Sequence, residues 1–152
     1  MRDFLLLLHL AGVIVWLGGM FFTNFCLRPI AAEQLPPPQR LPLLAAVLGR
    51  FFTAVALGIA AILFSGFVRL AQQGFAQAPL HWHAMAGLGL LMTAIFGLIA
   101  VRHYPRLRAA VAAADWPAAG GAMNSIRRWV AVNLSLGVLT LLVATLGSRL
   151  GG

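Results

Sequence analysis

The chain contains no lysine, only three carboxylates and a single cysteine. Acid–base work by paired carboxylates needs two acids at one site, and Asp3, Glu33 and Asp115 are scattered outside the apolar blocks. That excludes carboxylate-pair chemistry and a proton relay of acids through a membrane. Cys26 alone leaves no internal disulfide and no CxxC site. There is also no phosphate-cradling glycine loop and no nucleophile elbow. An enzyme built from this sequence would need a bound cofactor to supply its chemistry, so transport or delivery is expected rather than catalysis.

Charged residues make up 9% of the chain, against about 25% in typical globular proteins. Hydrophobic residues make up 61%, and the mean hydropathy is +0.92. The 152 residues fit one domain. A spanning helix takes about 20 mostly apolar residues, and four blocks qualify: about 4–27, 51–70, 80–101 and 129–146. The first block is much longer than a signal-peptide core and no A-x-A site follows it, so it is expected to remain as a helix. The expected fold is all-α, an integral membrane four-helix bundle. Pro36-Pro37-Pro38 is expected to stop the first helix. The third connection is expected to hold a short amphipathic helix, with a break at Gly120-Gly121.

The net charge is +8, carried entirely by arginine. The arginines flank apolar blocks without forming an aromatic-laced patch, so they are read as topology and lipid-headgroup anchors, with no nucleic acid partner and with phosphate binding disfavoured. Arg2, Arg69 and Arg149 fall on one side. Arg28, Arg40, Arg50, Arg102, Arg106, Arg108, Arg127 and Arg128 fall on the other. The positive-inside rule places the second group in the cytoplasm and both termini outside.

This orientation gathers His9, His81 and His83 near the outer face, with His103 at the inner end. At 100° per residue, His9 and Met20 share a line on the first helix. His81, Met85, Met92 and His103 form a stripe on the third, and His83 points almost opposite His81. Imidazole and thioether at successive depths suit a soft cation such as Cu(I). Met is also a common core filler, and His81 beside Trp82 fits an interfacial aromatic belt. His9 stands in an otherwise unbroken Leu-rich helix, where an ionisable side chain is costly and usually functional. The metal candidates are therefore His9, His81, His83, Met85, Met20 and Met92, with onward passage towards Cys26 and His103. Gly12 and Gly87 lie about one turn deeper than His9 and His83. Small residues there allow close helix packing, or leave room for a haem held by His9 and either His83 or His81. Asn133 and Thr140, one heptad apart, are expected to hydrogen-bond across helices.

The run His9-x2-Gly12-x3-Trp16-x-Gly18-Gly19 resembles the opening helix of the bacterial copper-resistance D family of four-span modules. It is also similar to the related haem-binding protoporphyrinogen oxidase family. "GRFFTAVALGIAAILFSG" resembles the second helix of the copper family and "SIRRWVAVNLSLGVLTLLVATLG" its last. Both families usually carry a lysine early in the third helix, where Met85 stands here, and His83 takes the place of the oxidase family's histidine. The oxidase family's "FNE" stretch is replaced by Ser125-Ile126-Arg127-Arg128. The resemblance implies a copper-handling protein of the bacterial inner membrane that meets membrane lipid and a periplasmic copper carrier. Its alternative is a b-type haem protein exchanging electrons with a quinone. Self-association is left open by both.

Overall fold

In the computed structural model, which describes residues 1–150, the chain forms four long helices joined by short turns. They are α1 (Arg2–Gln34), α2 (Pro37–Gln73), α3 (Leu80–Ala112) and α4 (Trp116–Leu150). Each contains a stretch long and apolar enough to cross a membrane. Large apolar side chains such as Phe4, Leu7, Ile14, Phe21, Leu57 and Phe64 are exposed around the outside, as a hydrocarbon solvent allows. This is a multi-pass membrane protein.

The helices are longer than the apolar blocks predicted. At 1.5 Å per residue, the 37 residues of α2 extend about 55 Å, well beyond the ~30 Å hydrocarbon core. The excess lies at one end, where α1 and α3 finish and α2 and α4 begin. There Leu41, Leu44, Leu48, Leu107, Met123 and Ile126 are buried, so the bundle keeps its core past the membrane-length region. Hydropathy cannot register this segment, because its exposed face is arginine-rich and only one stripe is apolar.

One expected break is met and one is corrected. The proline run does end the first helix, in a two-residue turn: α1 ends at Gln34, Pro36 is extended, and Pro37 and Pro38 open α2. Proline fits the first helical turn, where its missing N–H has no partner to lose. Gly120 and Gly121 do not interrupt α4, which starts at Trp116 and runs through both. The true boundary is at Asp115, whose Oδ1 accepts the Ala118 N–H at 3.0 Å and so caps the helix. The expected amphipathic segment exists as Tyr104–Ala112, continuous with α3 through a π-helical turn at Ile99–His103.

α1 packs chiefly on α2, and α3 on α4. The first pair meets at glycines. A Cβ on Gly12 would lie 2.7 Å from the Gly58 carbonyl oxygen and 2.8 Å from Ile62 Cγ1. Gly12 therefore spends its missing side chain on helix contact, as small residues do in membrane bundles. Gly19 does the same under the Phe51 ring, and Gly137 under Leu17.

Asn133 does not bond across helices as expected. It is 1% exposed, and among the described residues its Oδ1 has no hydrogen-bond partner. Thr140 donates to Leu136 O of its own helix at 2.8 Å and also reaches Met92 Sδ across on α3 at 3.9 Å, so the cross-helix expectation holds for Thr140 only as a long contact to sulfur. Since an unsatisfied buried amide is costly, Asn133→Leu is expected to leave stability unchanged or raise it by about 1 kcal/mol. Thermal unfolding in detergent reads this directly.

Candidate functional site

The end opposite the arginine-rich extension holds a cavity of about 470 Å³ between all four helices. Its walls are mostly aliphatic. The chemistry-bearing side chains on them are His9 and Trp16 from α1, Arg69 from α2, His81, Trp82, Met85 and Met92 from α3, and Thr140 and Ser148 from α4. The cavity thus brings together His9, His81, Met85 and Met92.

His9 is oriented by α2. Its Nδ1 lies 3.1 Å from Ser65 Oγ, and Ser65 is fully buried. The Ser65 hydroxyl has one proton, and its shortest contact, 2.6 Å, is to Ala61 O. It donates there and accepts from His9 Nδ1–H, which assigns the tautomer. Nε2 is left with a lone pair, the arrangement that outer-shell partners impose on metal-binding histidines. The imidazole passes over Gly66, where an added Cβ would lie 3.5 Å from His9 Cε1. Ser65 was the residue missed by sequence reasoning. A single hydroxyl at the His9 depth of an apolar helix was the only available signal.

His81 rests against α4 at Gly147, where a Cβ would come within 2.7 Å of His81 Cγ. Trp82 carries the Arg69 guanidinium over its ring at 5.3 Å. Met92 is 3% exposed and lies 3.9 Å from Thr140 Oγ1. Below Met92 the interior is aromatic: Trp16 packs edge-on against Phe96 at 6.4 Å, Phe96 on Phe52 at 5.6 Å, and Phe52 on Tyr104 at 5.2 Å. The Tyr104 hydroxyl donates to Ala45 O at 3.1 Å. Trp16 itself sits in a π-helical turn, Ile14–Gly18, a backbone irregularity that recurs at functional sites.

The remaining candidates lie elsewhere. His83 is exposed, and its Nε2 is 3.0 Å from Phe75 O in the turn before α3. Met20 is buried in the core at 2% exposure and does not line the cavity. The π-helical turn between His9 and Met20 displaces the faces that regular 100° steps would align. Gly87 has open space beside it on an exposed position, and the space beside Gly12 is filled by α2. Cys26 is exposed on α1, so the interior does not lead to it. His103 belongs to the π-helical turn at the arginine-rich end.

Among the described residues, no three His, Cys, Asp or Glu side chains converge on one point. A metal in this cavity would therefore draw on methionine sulfur beside imidazole. Both donors are neutral, a set that favours a soft monovalent ion over a hard divalent one.

No curated protein and no solved structure matches the sequence. The family model of copper resistance protein D matches residues 45–146, which takes in Ser65, Arg69, His81, Met85 and Met92 and begins after the helix bearing His9. With two-thirds of its length matched, from early α2 to near the end of α4, the chain belongs to the copper resistance protein D family.

Proposed function

We propose that the cavity is a Cu(I) site, with His9 Nε2 as the anchoring ligand and His81, Met85 and Met92 as the other donors. The observation that carries this reading is the Ser65–His9 hydrogen bond, which leaves a cavity-lining imidazole with one committed nitrogen and one lone pair. A single positive charge among neutral ligands suits an aliphatic cavity better than a divalent ion, whose desolvation costs far more. The distribution of arginine supports an inner-membrane orientation with both termini and the cavity on the periplasmic side. Copper would then be captured from outside, for instance from a periplasmic carrier. Trp16, which lines the cavity and packs on Phe96, would have to move for copper to pass further inward.

A second reading rests on the cavity's size, far beyond the needs of one ion, and on Arg69 lining it. In this reading His9 and His81 would be the residues that hold a b-type haem, and Arg69 would supply a positive charge for its carboxylates. Such a group would supply one-electron chemistry when bound. His83 is not the partner in this reading, because its Nε2 is engaged by Phe75 O.

Titration of the detergent-purified protein with Cu(I) against a chromophoric chelator tests the proposal. One Cu(I) per chain is expected, with Met85→Ala weakening it by roughly tenfold or more and His83→Ala leaving it unchanged. If Met85→Ala and Met92→Ala both leave affinity intact, the thioethers are packing. An absorption spectrum taken before and after dithionite separates the two readings, since a Soret band in the purified protein would replace copper with haem.

A further inference from the structure

The arginine-rich end contains a second concavity, a groove of about 230 Å³. Arg28, Arg40 and Asn124 line it, with Leu41, Leu44 and Met123 as its apolar wall. Arg28 Nη2 donates to Asn124 Oδ1 at 2.9 Å, a bond from α1 to α4 that fixes the guanidinium at the groove. Arg40 Nη1 makes only a long 3.4 Å contact to Ala32 O. Both bonds end on neutral oxygens. Arg28 and Arg40 thus present two like charges to one concavity. Two carboxylates stand at this end: Asp115 is committed to capping α4, and Glu33 is exposed on the last turn of α1.

Two guanidinium groups thus line one groove, and among the described residues neither is paired with a carboxylate, so donors remain available on both. Diffuse attraction to headgroups accounts for arginines scattered around a rim. It does not account for two that line one groove while a neutral amide ties one of them in place. We propose that this groove binds one phosphate group, with Arg28 and Arg40 as its donors and Asn124 positioning Arg28. The guanidinium fork matches phosphate oxygens in geometry as well as charge. The phosphate can come from an anionic phospholipid, whose glycerol and upper acyl carbons would meet Leu41, Leu44 and Met123, or from free inorganic phosphate. Basic pockets between membrane helices are a recurrent place for the first.

Native mass spectrometry of the detergent-solubilised full chain, titrated with phosphatidylglycerol, reads the site. One lipid is expected to persist at saturation. Arg28→Gln and Arg40→Gln should each weaken it about tenfold, the size of a lost charge-assisted hydrogen bond. Arg28→Lys should lose part of that, and Asn124→Ala should weaken it by freeing Arg28. Arg106→Gln, exposed at the same end and outside the groove, is the control. Competition by inorganic phosphate, or phosphate binding with the same variant pattern but no retained lipid, assigns the site to the free anion. An equal loss in Arg106→Gln, or undiminished lipid and phosphate binding in the Arg28→Gln/Arg40→Gln double variant, overturns the proposal in favour of general surface charge. Any variant that misfolds is recognised by its elution and melting, and the remaining substitutions still decide the outcome.

Discussion

His9→Ala is expected to lower Cu(I) affinity by at least ~100-fold, and Ser65→Ala by ~10–100-fold, the range seen when the outer-shell partner of a metal-binding histidine is removed. The two losses differ in kind. The first removes the donor atom. The second leaves the imidazole in the cavity but releases Nδ1 from its acceptor 3.1 Å away, so tautomer and ring orientation are no longer fixed. Ser65→Thr keeps a hydroxyl at that position and is expected to recover part of the loss. Chelator competition on the three variants measures this, with His83→Ala as a control that should match the parent. A Ser65→Ala protein with parental affinity would mean that the hydrogen bond only packs α1 against α2.

The second large effect concerns the backbone under the site. Gly12→Ala places a methyl group against the Gly58 carbonyl oxygen, which is main chain and cannot swing away. Overpacking of this kind costs about 1–3 kcal/mol. Gly12 is one turn from His9, so pushing α1 away from α2 also pulls His9 from Ser65. Both melting temperature and copper affinity are expected to fall. Gly18→Ala, with nothing among the described residues within 4 Å of its added Cβ, should change neither. A Gly12→Ala protein that melts early but binds copper normally would show that the helix crossing and the site are independent.

Much of this architecture is legible in the sequence, for identifiable reasons. The four spans follow from hydropathy, because each buries its polar backbone in itself and shows lipid a run of aliphatic side chains. His9 stands out because no other ionisable side chain lies between Phe4 and Phe25. What stays hidden depends on neighbours. His81 and His83 are two residues apart, and helical phase alone separates them: His81 falls on the methionine face and lines the cavity, whereas the family resemblance favoured His83, which turns to Phe75 O. Met20 aligns with His9 only if the helix is regular, and the π-helical turn at Ile14–Gly18 breaks that regularity. Ser65 and Arg69 acquire their roles only when α2 is laid beside α1 and α3. The continuation of the bundle beyond the apolar blocks is invisible to hydropathy, because its stripe of Leu41, Leu44, Leu107 and Met123 is set among arginines.

The central claim is that a copper ion in this cavity is held by His9 together with methionine sulfur. X-ray absorption at the copper edge, on the Cu(I)-loaded parent and on His9→Ala, tests it most directly. The account predicts a mixed shell of imidazole nitrogen and thioether sulfur in the parent, and the loss of one imidazole or of the metal itself in the variant. A shell without sulfur, or the same nitrogen count in His9→Ala, would contradict it.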